Sequence, residues 1–453
     1  MPEPLTSVLI ANRGEIALRV IRACKELGIR SILAHSEADA DSLPVKLADQ
    51  AVCIGPAQVA MSYRNSHAVI SAALAFKADA IHPGYGFLSE NADFAAQCEA
   101  EGIGFVGPAS HIIRSMGDKI QAKVIARQAG VPTVPGSLGA ISEYAEALTV
   151  AGEVGYPMLI KAAAGGGGRG MRVVETAETL ERDLSEIMSE AETAFGDPSV
   201  YIERYLTDIR HIEIQVISDG TTVLHIGERD CTAQRRNQKL IEESPSPVLT
   251  PELRQGLADA AVALCREVGY TNAGTVEFVF DNVERKYYFI EMNTRIQVEH
   301  PVSEMVSGID LIKLQLEIAG GKQLTMSQED VELRGHAIEC RINAEDPDRG
   351  FAPHPGTIEH FRAPGGFGVR LDTHIEAGYT IPPYYDSMIG KLICWGKDRD
   401  EAIARSLRAL EELDVGGIIT TAGLQQQILD SPTFRSGEFN TAFVAKFLAD
   451  RSS

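Results

Sequence analysis

Short apolar runs alternate with helical periodicities through the opening of the chain. Ser7–Ala11 reads as a strand, Asn12-Arg13-Gly14-Glu15 as a turn, Ile16–Leu27 as a helix closed by Gly28, and Ile29–His35 as a second strand. The alternation continues through Asp49–Ile54 and Ala80–His82 to Gly104–Val106, which predicts an open, mostly parallel sheet. No G-x-G-x-x-G follows the first strand, so a dinucleotide is not expected there.

Further along, the polar motifs gather between Gly107 and Ala319. Pro132, Pro135 and Gly136 read as a hinge into a smaller piece, Glu143–Tyr205. Past Glu332 the pattern predicts the strands His336–Asn343, Thr357–Arg362 and Lys391–Gly396, then a helix over Glu401–Leu413 that Asp398 and Glu401 start like a capping box. The expected division is residues 1–115, 116–330 with a lid at about 132–205, and 331–453.

Size and composition agree with this multidomain α/β and α+β reading. The chain has 453 residues, more than one core accommodates, with 44% hydrophobic and 23% charged positions. Its formal charge of −21 argues against nucleic acid, whose backbone demands a basic surface, but leaves room for a phosphate held by local cations. Seven scattered cysteines with no C-x-x-C suggest neither a disulfide framework nor a zinc site. No signal pattern or membrane-length apolar run is visible, so a cytoplasmic enzyme is expected.

Candidate chemistry begins at the apolar run Met158–Ala162, which carries Lys161 and leads into G-G-G-G-R-G-M, ending at Met171. Backbone N–H groups of such glycines can approach an anion closely, although a glycine cluster alone equally describes a flexible surface loop. Lys119 follows Met116-Gly117-Asp118 just before a helix, and Glu203, Arg204 and Leu206 follow the strand Ser199–Ile202, where an adenine hinge could sit. A basic string, Gln234 to Lys239, follows the strand Val223–Glu228, precedes the acidic pair Glu242-Glu243, and could line a phosphate or bicarbonate pocket, although basic strings are usually solvated faces. No Walker A loop is present.

The most informative segment is a hairpin. Thr275–Phe280 alternates, Asp281–Lys286 is a polar turn and Tyr287–Asn293 returns. A turn centred near Val283–Glu284 sets Glu277 nearly opposite Glu291, and side-chain alternation turns Asn293 the same way as Glu291. Like charges placed opposite one another need neutralising, and hard oxygen ligands suit Mg²⁺ held with nucleotide phosphates. Arg295, Gln297 and Glu299 follow at alternate positions, as if a strand-like segment carried an anion-binding cation and a base on one face.

Taken together the chain resembles the biotin carboxylases of the ATP-grasp superfamily. The resemblance runs through I-A-N-R-G-E-I-A-L-R (Ile10–Arg19), H-P-G-Y-G-F-L-S-E-N (His82–Asn91), the glycine run, E-R-D-C and Q-R-R-N-Q-K, I-E-M-N-T-R-I-Q-V-E-H-P, E-C-R-I-N-A-E-D-P (Glu339–Pro347) and P-P-Y-Y-D-S-M-I-G-K (Pro382–Lys391). It implies a Rossmann-like N-terminal unit, an ATP-grasp unit with a mobile lid and a C-terminal mixed β unit. By the resemblance, Lys119, Lys161, Gly166, Gly167, Gly168, Met171, Glu203, Arg204, Leu206, His211, Gln234 and Asn237 contact ATP. Glu277, Glu291 and Asn293 hold Mg²⁺ or Mn²⁺, and Lys239, Arg295, Gln297 and Val298 bind bicarbonate with Glu299 as its base. Arg341 sits by the biotin ureido oxygen with Tyr85 nearby; a buried ion pair of Arg341 with Glu339 or Glu345 is the plainer reading.

Two positions depart from the family pattern: Asn237 stands where histidine is usual and Arg204 where lysine is usual. No M-K-M-type biotinylation site or carboxyltransferase region is visible, so biotin is expected on a separate carrier protein and carboxyl transfer on other subunits. The resemblance implies a homodimeric subunit of an acetyl-CoA-type carboxylase serving fatty-acid synthesis, with Arg19 a candidate interface residue. A pyruvate carboxylase component, another ATP-grasp ligase acting on a purine precursor or urea, and a silent ATP-binding regulator are the competing readings.

Overall fold

A computed structural model of the chain describes residues 4–137, 139–163 and 170–451. Five parallel strands open it: β1 (Ser7–Ile10), β2 (Arg30–Ser36), β3 (Gln50–Gly55), β4 (Ala80–His82) and β5 (Gly104–Phe105), in the order β3-β2-β1-β4-β5. This is the expected parallel sheet. The helix Gly14–Leu27 buries its apolar face against it and stops at Gly28, whose φ of 71° lets its N–H reach back to the carbonyls of Cys24 and Lys25.

A small antiparallel sheet follows, in which β6 (Met158–Ala162) lies between β7 (Met171–Val174) and β8 (Val200–Arg204). The helices Tyr144–Val154 and Leu180–Phe195 cover it, enclosing a core of its own around Ile160, Leu184, Ile187 and Ile202.

The largest sheet is built from β9 (Ile209–Asp219), β10 (Val223–Arg235), β11 (Gln238–Ser244), β12 (Thr271–Asp281), β13 (Lys286–Asn293) and β14 (His336–Asn343). The short strands β15 (Glu345–Asp346), β16 (Ala352–Pro353) and β17 (Phe361–Arg362) come next, then β18 (Val369–Thr373), β19 (Met388–Gly396) and β20 (Asp414–Val415). Eight of these strands form one sheet, β13-β12-β9-β10-β11-β14-β19-β18. Strands from either side of residue 330 therefore share one ladder through β11 and β14, where Ile241 and Cys340 pair in the core. The helix Arg399–Glu412 packs on it, its N-terminus capped by Asp398 accepting from the Glu401 N–H.

Three local expectations change. Thr357–Arg362 is not one strand, because it changes partner midway: Thr357 bridges Thr380 and Ile358 bonds to Tyr379 and Gly378, whereas Phe361–Arg362 pairs with β20. The strand before the basic string does not end at Glu228: β10 runs on to Arg235 and the string forms a hairpin, its turn made by Arg236 and Asn237 at φ of 48° and 65°. Arg295–Glu299 is an irregular bend rather than strand, because the ladder ends at Asn293 and the chain must enter the helix His300–Ser307, with Pro301 in its first turn.

Candidate active site

The register of the large sheet lines up charge. Glu277 pairs directly with Glu291 across the β12–β13 hairpin: the turn alone would set it beside Ile290, and a register shift between Glu277 and Phe278 moves the pairing by one residue, so that Thr275 pairs with Asn293. Glu277 also faces Glu213 on β9, which in turn faces Arg229 on β10. Directly opposed residues share a face, so Arg229, Glu213, Glu277 and Glu291 make one row across four strands.

Such a row of acids stands only with cations beside it, and Lys239 supplies the main one. Its Nζ lies 2.6 Å from Glu213 Oε2, 3.1 Å from Glu277 Oε1 and 2.6 Å from Glu299 Oε1. Burial disfavours charge on Lys239, but Cys231 and these carboxylates hold it protonated well above the ordinary lysine range. His211 Nε2 adds a contact of 3.0 Å to Glu277 Oε2. Burial opposes ionisation of Glu277 and Glu299, yet Lys239 with His211 at the first, and with Arg341 and Arg229 at the second, keep both well below the usual carboxylate range.

Arg229 ties this floor together. Fully buried, it donates through Nε to Glu213 at 2.5 Å, through Nη1 to Gln215 at 2.6 Å and Ser303 at 3.0 Å, and through Nη2 to Thr275 at 3.1 Å and Gln297 at 2.7 Å. With its oxygen held there, the Gln297 amide turns its N–H toward Glu277, at 2.7 Å. Arg295 donates to Asn293 Oδ1 and to Glu90, each at 2.9 Å. The bend thus converges Arg295, Gln297 and Glu299 on the hairpin without strand alternation.

The donor set fits a hard divalent cation. Glu291 has its carboxyl pushed up, first by burial and then by Glu277, which marks two acids short of shared positive charge; Lys119 lowers it from the other side. Oxygen ligands of this kind suit Mg²⁺ or Mn²⁺. His211, Glu213 and Glu277 also bring ligand atoms within 4.8 Å of one another.

On the small sheet Lys161 and Glu203 sit on neighbouring strands and make an ion pair of 2.6 Å. Glu203 is buried and bonded also to Lys123, whose Nζ lies 4.1 Å from the centre of the Tyr201 ring. Lys119, Lys123, Ser137, Gly139 and Tyr201 line a cavity beside them. Arg204 turns away, to Glu284 at 2.9 Å and the Tyr288 hydroxyl at 3.0 Å, while its N–H meets the Pro135 carbonyl. Leu206 packs on Val134 and Tyr288; Met171 is exposed opposite Lys161. Gln234 pairs with Lys239 at the β10–β11 hairpin, whose turn holds Asn237. Gly166, Gly167 and Gly168 lie outside the described residues.

At the other end of the row Arg341 donates to Glu242 at 2.6 Å and to Glu299 at 2.9 Å, rather than to Glu339 or Glu345. Tyr85 donates to Glu15, whose other contact is Lys391 at 3.2 Å. Lys391 pairs with Arg341 in register and donates to the Val298 carbonyl at 2.8 Å. Arg19 is tied within the chain to Glu304 and Asp310. Sequence reasoning missed Glu213, Arg229, Lys123, Glu90, Glu242 and Lys391 as parts of this cluster; only H-I-E-I-Q, with acids and amides at alternate positions after His211, carried a usable signal.

Family models described as biotin carboxylase, N-terminal domain, carbamoyl-phosphate synthase L chain, ATP binding domain, and biotin carboxylase C-terminal domain match residues 4–113, 118–327 and 339–446. The chain is 56% identical over 445 residues to Biotin carboxylase 1 of Bacillus subtilis, covering 98% of this chain and 99% of that one. It is 50% identical to a pyruvate carboxylase subunit of Methanothermobacter thermautotrophicus, over 98% and 90% of the two chains. A Campylobacter jejuni biotin carboxylase solved as a β,γ-ATP complex superposes with a TM-score of 0.93 at 50% identity, over 98% of this chain and 99% of that one. The biotin carboxylase domain dimer of Hydrogenobacter thermophilus 2-oxoglutarate carboxylase, solved with MgADP, ADP and bicarbonate, superposes with a TM-score of 0.92 at 48% identity over 98% of both.

Proposed function

The chain belongs to the biotin carboxylase family, and on that premise we propose that it carboxylates biotin at N1 with ATP and bicarbonate, by way of carboxyphosphate. It is an ATP-dependent ligase. The observation that carries the reading is Lys239 bound to Glu213, Glu277 and Glu299 at once, which joins the metal-type hairpin to a candidate base within one cluster.

Glu277, Glu291 and Asn293 would hold Mg²⁺ or Mn²⁺. Such an ion, when bound, neutralises charge developing on transferring phosphoryl oxygens. Lys119, Lys161, the glycine run with Gly166 to Gly168, Met171, Glu203, Arg204, Leu206, His211, Gln234 and Asn237 form the ATP side. Lys239, Arg295, Gln297 and the Val298 backbone would place bicarbonate, and Glu299 would take its proton. With both its oxygens engaged by Lys239 and Arg341, Glu299 rests as a stabilised anion; its basicity rises when either cation turns to substrate. Arg341, with Tyr85 beside it, would meet the biotin ureido oxygen and stabilise the enolate.

Carboxyphosphate hydrolyses in water, so a closing cover suits the chemistry. The piece at about 132–205 is that lid within a division at about 115 and 330, and its separate core supports movement as a unit. Biotin arrives on a carrier protein, and carboxyltransferase subunits take the product, in a homodimeric acetyl-CoA-type assembly. The likeness to a pyruvate carboxylase subunit keeps that parent enzyme as a second reading. Purified protein with Mg²⁺, ATP and bicarbonate is expected to hydrolyse ATP and to be stimulated by free biotin. Absence of that stimulation overturns the function.

A further inference from the structure

Glu242 on β11 and Glu339 on β14 lie directly opposite one another in the ladder, and both are fully buried. Arg341 donates to one oxygen of Glu242. The other oxygen of Glu242 and both oxygens of Glu339 have no hydrogen-bond partner. Two ionised carboxylates across one rung, out of water, are strongly unfavourable, and among the described residues no ion pair reaches Glu339.

Nearby cations are already engaged. Lys239 on β11 serves Glu213, Glu277 and Glu299; Arg341 on β14 serves Glu242 and Glu299; Lys391 on β19 serves Glu15 and the Val298 carbonyl. The remaining titratable groups around the pair are the buried thiols of Cys231 and Cys340. Neither supplies positive charge.

We propose that Glu242 and Glu339 are an acid pair holding a single proton, carried by Glu339, and that Glu242 is thereby the positioning residue for Arg341. A neutral Glu339 leaves the guanidinium with two anionic anchors, Glu242 at Nε and Glu299 at Nη2. A second full charge on the rung would draw Arg341 back toward the sheet and away from a substrate oxygen. The titration of both groups points the same way: burial comes first in raising each, against lowering by Lys391 at Glu339 and by Arg341 at Glu242, and Glu339 stands well above the ordinary carboxyl range while Glu242 is pushed up to about 7.

The proton is testable without turnover, and the positioning role rests on the biotin reading above. In the infrared, a neutral buried carboxylic acid absorbs apart from carboxylates, and at pH 7 the full-length protein is expected to show such a band that Glu339→Gln removes. A spectrum that the substitution leaves unchanged overturns the pair. A folded pKa raised above the unfolded one contributes stability that is complete below the ordinary carboxyl range and is lost as pH rises through the folded value. Glu339→Gln is therefore expected to flatten the fall of Tm between pH 5 and 8, and a decline parallel to that of the parent protein overturns the assignment. Glu242→Gln is expected to raise KM for free biotin about tenfold or more, the worth of a hydrogen bond to a charged group, with KM for ATP unchanged and partial recovery in Glu242→Asp. An unchanged KM for biotin overturns the positioning role. Complete lack of biotin-stimulated hydrolysis in the parent protein would instead overturn the proposed function, leaving the infrared and unfolding results to decide the acid pair.

Discussion

The floor of the large sheet and the small sheet around Lys161 both carry cations paired with acids, but they are built differently. On the floor, Lys239 and Arg229 each bind several partners contributed by separate strands and by the bend at Arg295–Glu299. On the small sheet, Glu203 gathers Lys161 and Lys123, and the sheet encloses its own core. A preorganised floor suits charge that must be in place before the reaction, since fixed dipoles and charges need no rearrangement when the transition state forms. A piece with its own core can move without unfolding, which suits a cover over nucleotide.

This contrast predicts a graded set of failures. The largest is expected from Glu299→Gln, which removes the candidate base: turnover should fall by about 10² to 10⁴, while nucleotide binding measured by calorimetry stays close to that of the parent. Parallel loss of both would show that the floor and the nucleotide site are one unit. Next comes Lys239→Met, which leaves Glu213, Glu277 and Glu299 without their shared cation. Breaking a buried pair costs about 3–5 kcal/mol, so denaturant unfolding should register a large loss beside the loss of turnover.

A smaller and differently placed effect is expected on the other sheet. Lys161→Ala should weaken ATP binding by about tenfold, as for one charge-assisted hydrogen bond, with KM for bicarbonate and Tm little changed. A rise in KM for bicarbonate would erase the distinction between the regions. The smallest effect belongs to the β10–β11 turn. Asn237 has φ of 65°, a conformation asparagine tolerates better than most residues. Asn237→Ala should cost about 1 kcal/mol in unfolding. A much larger loss would mean that the turn itself anchors Lys239.

The residue order of this chain determined whatever depends on local spacing. A polar turn flanked by alternating strands set Glu277 nearly against Glu291, because antiparallel register follows from where the turn lies, and a one-residue register shift beside Phe278 completed the pairing. The first parallel strands, the Gly28 stop and the Asp398 cap were legible for the same reason. Tertiary structure decided everything that joins distant segments: Glu213 and Arg229 completing the row, Lys239 reaching three acids, and β11 pairing with β14 to set Glu242 against Glu339. It also replaced an expected strand by a bend, yet brought Gln297 and Glu299 to the same place through their side-chain bonds. Periodicity shows which way a side chain faces along its own strand. It does not say which strand lies beside it, and in a buried sheet that neighbour determines which charges are compensated.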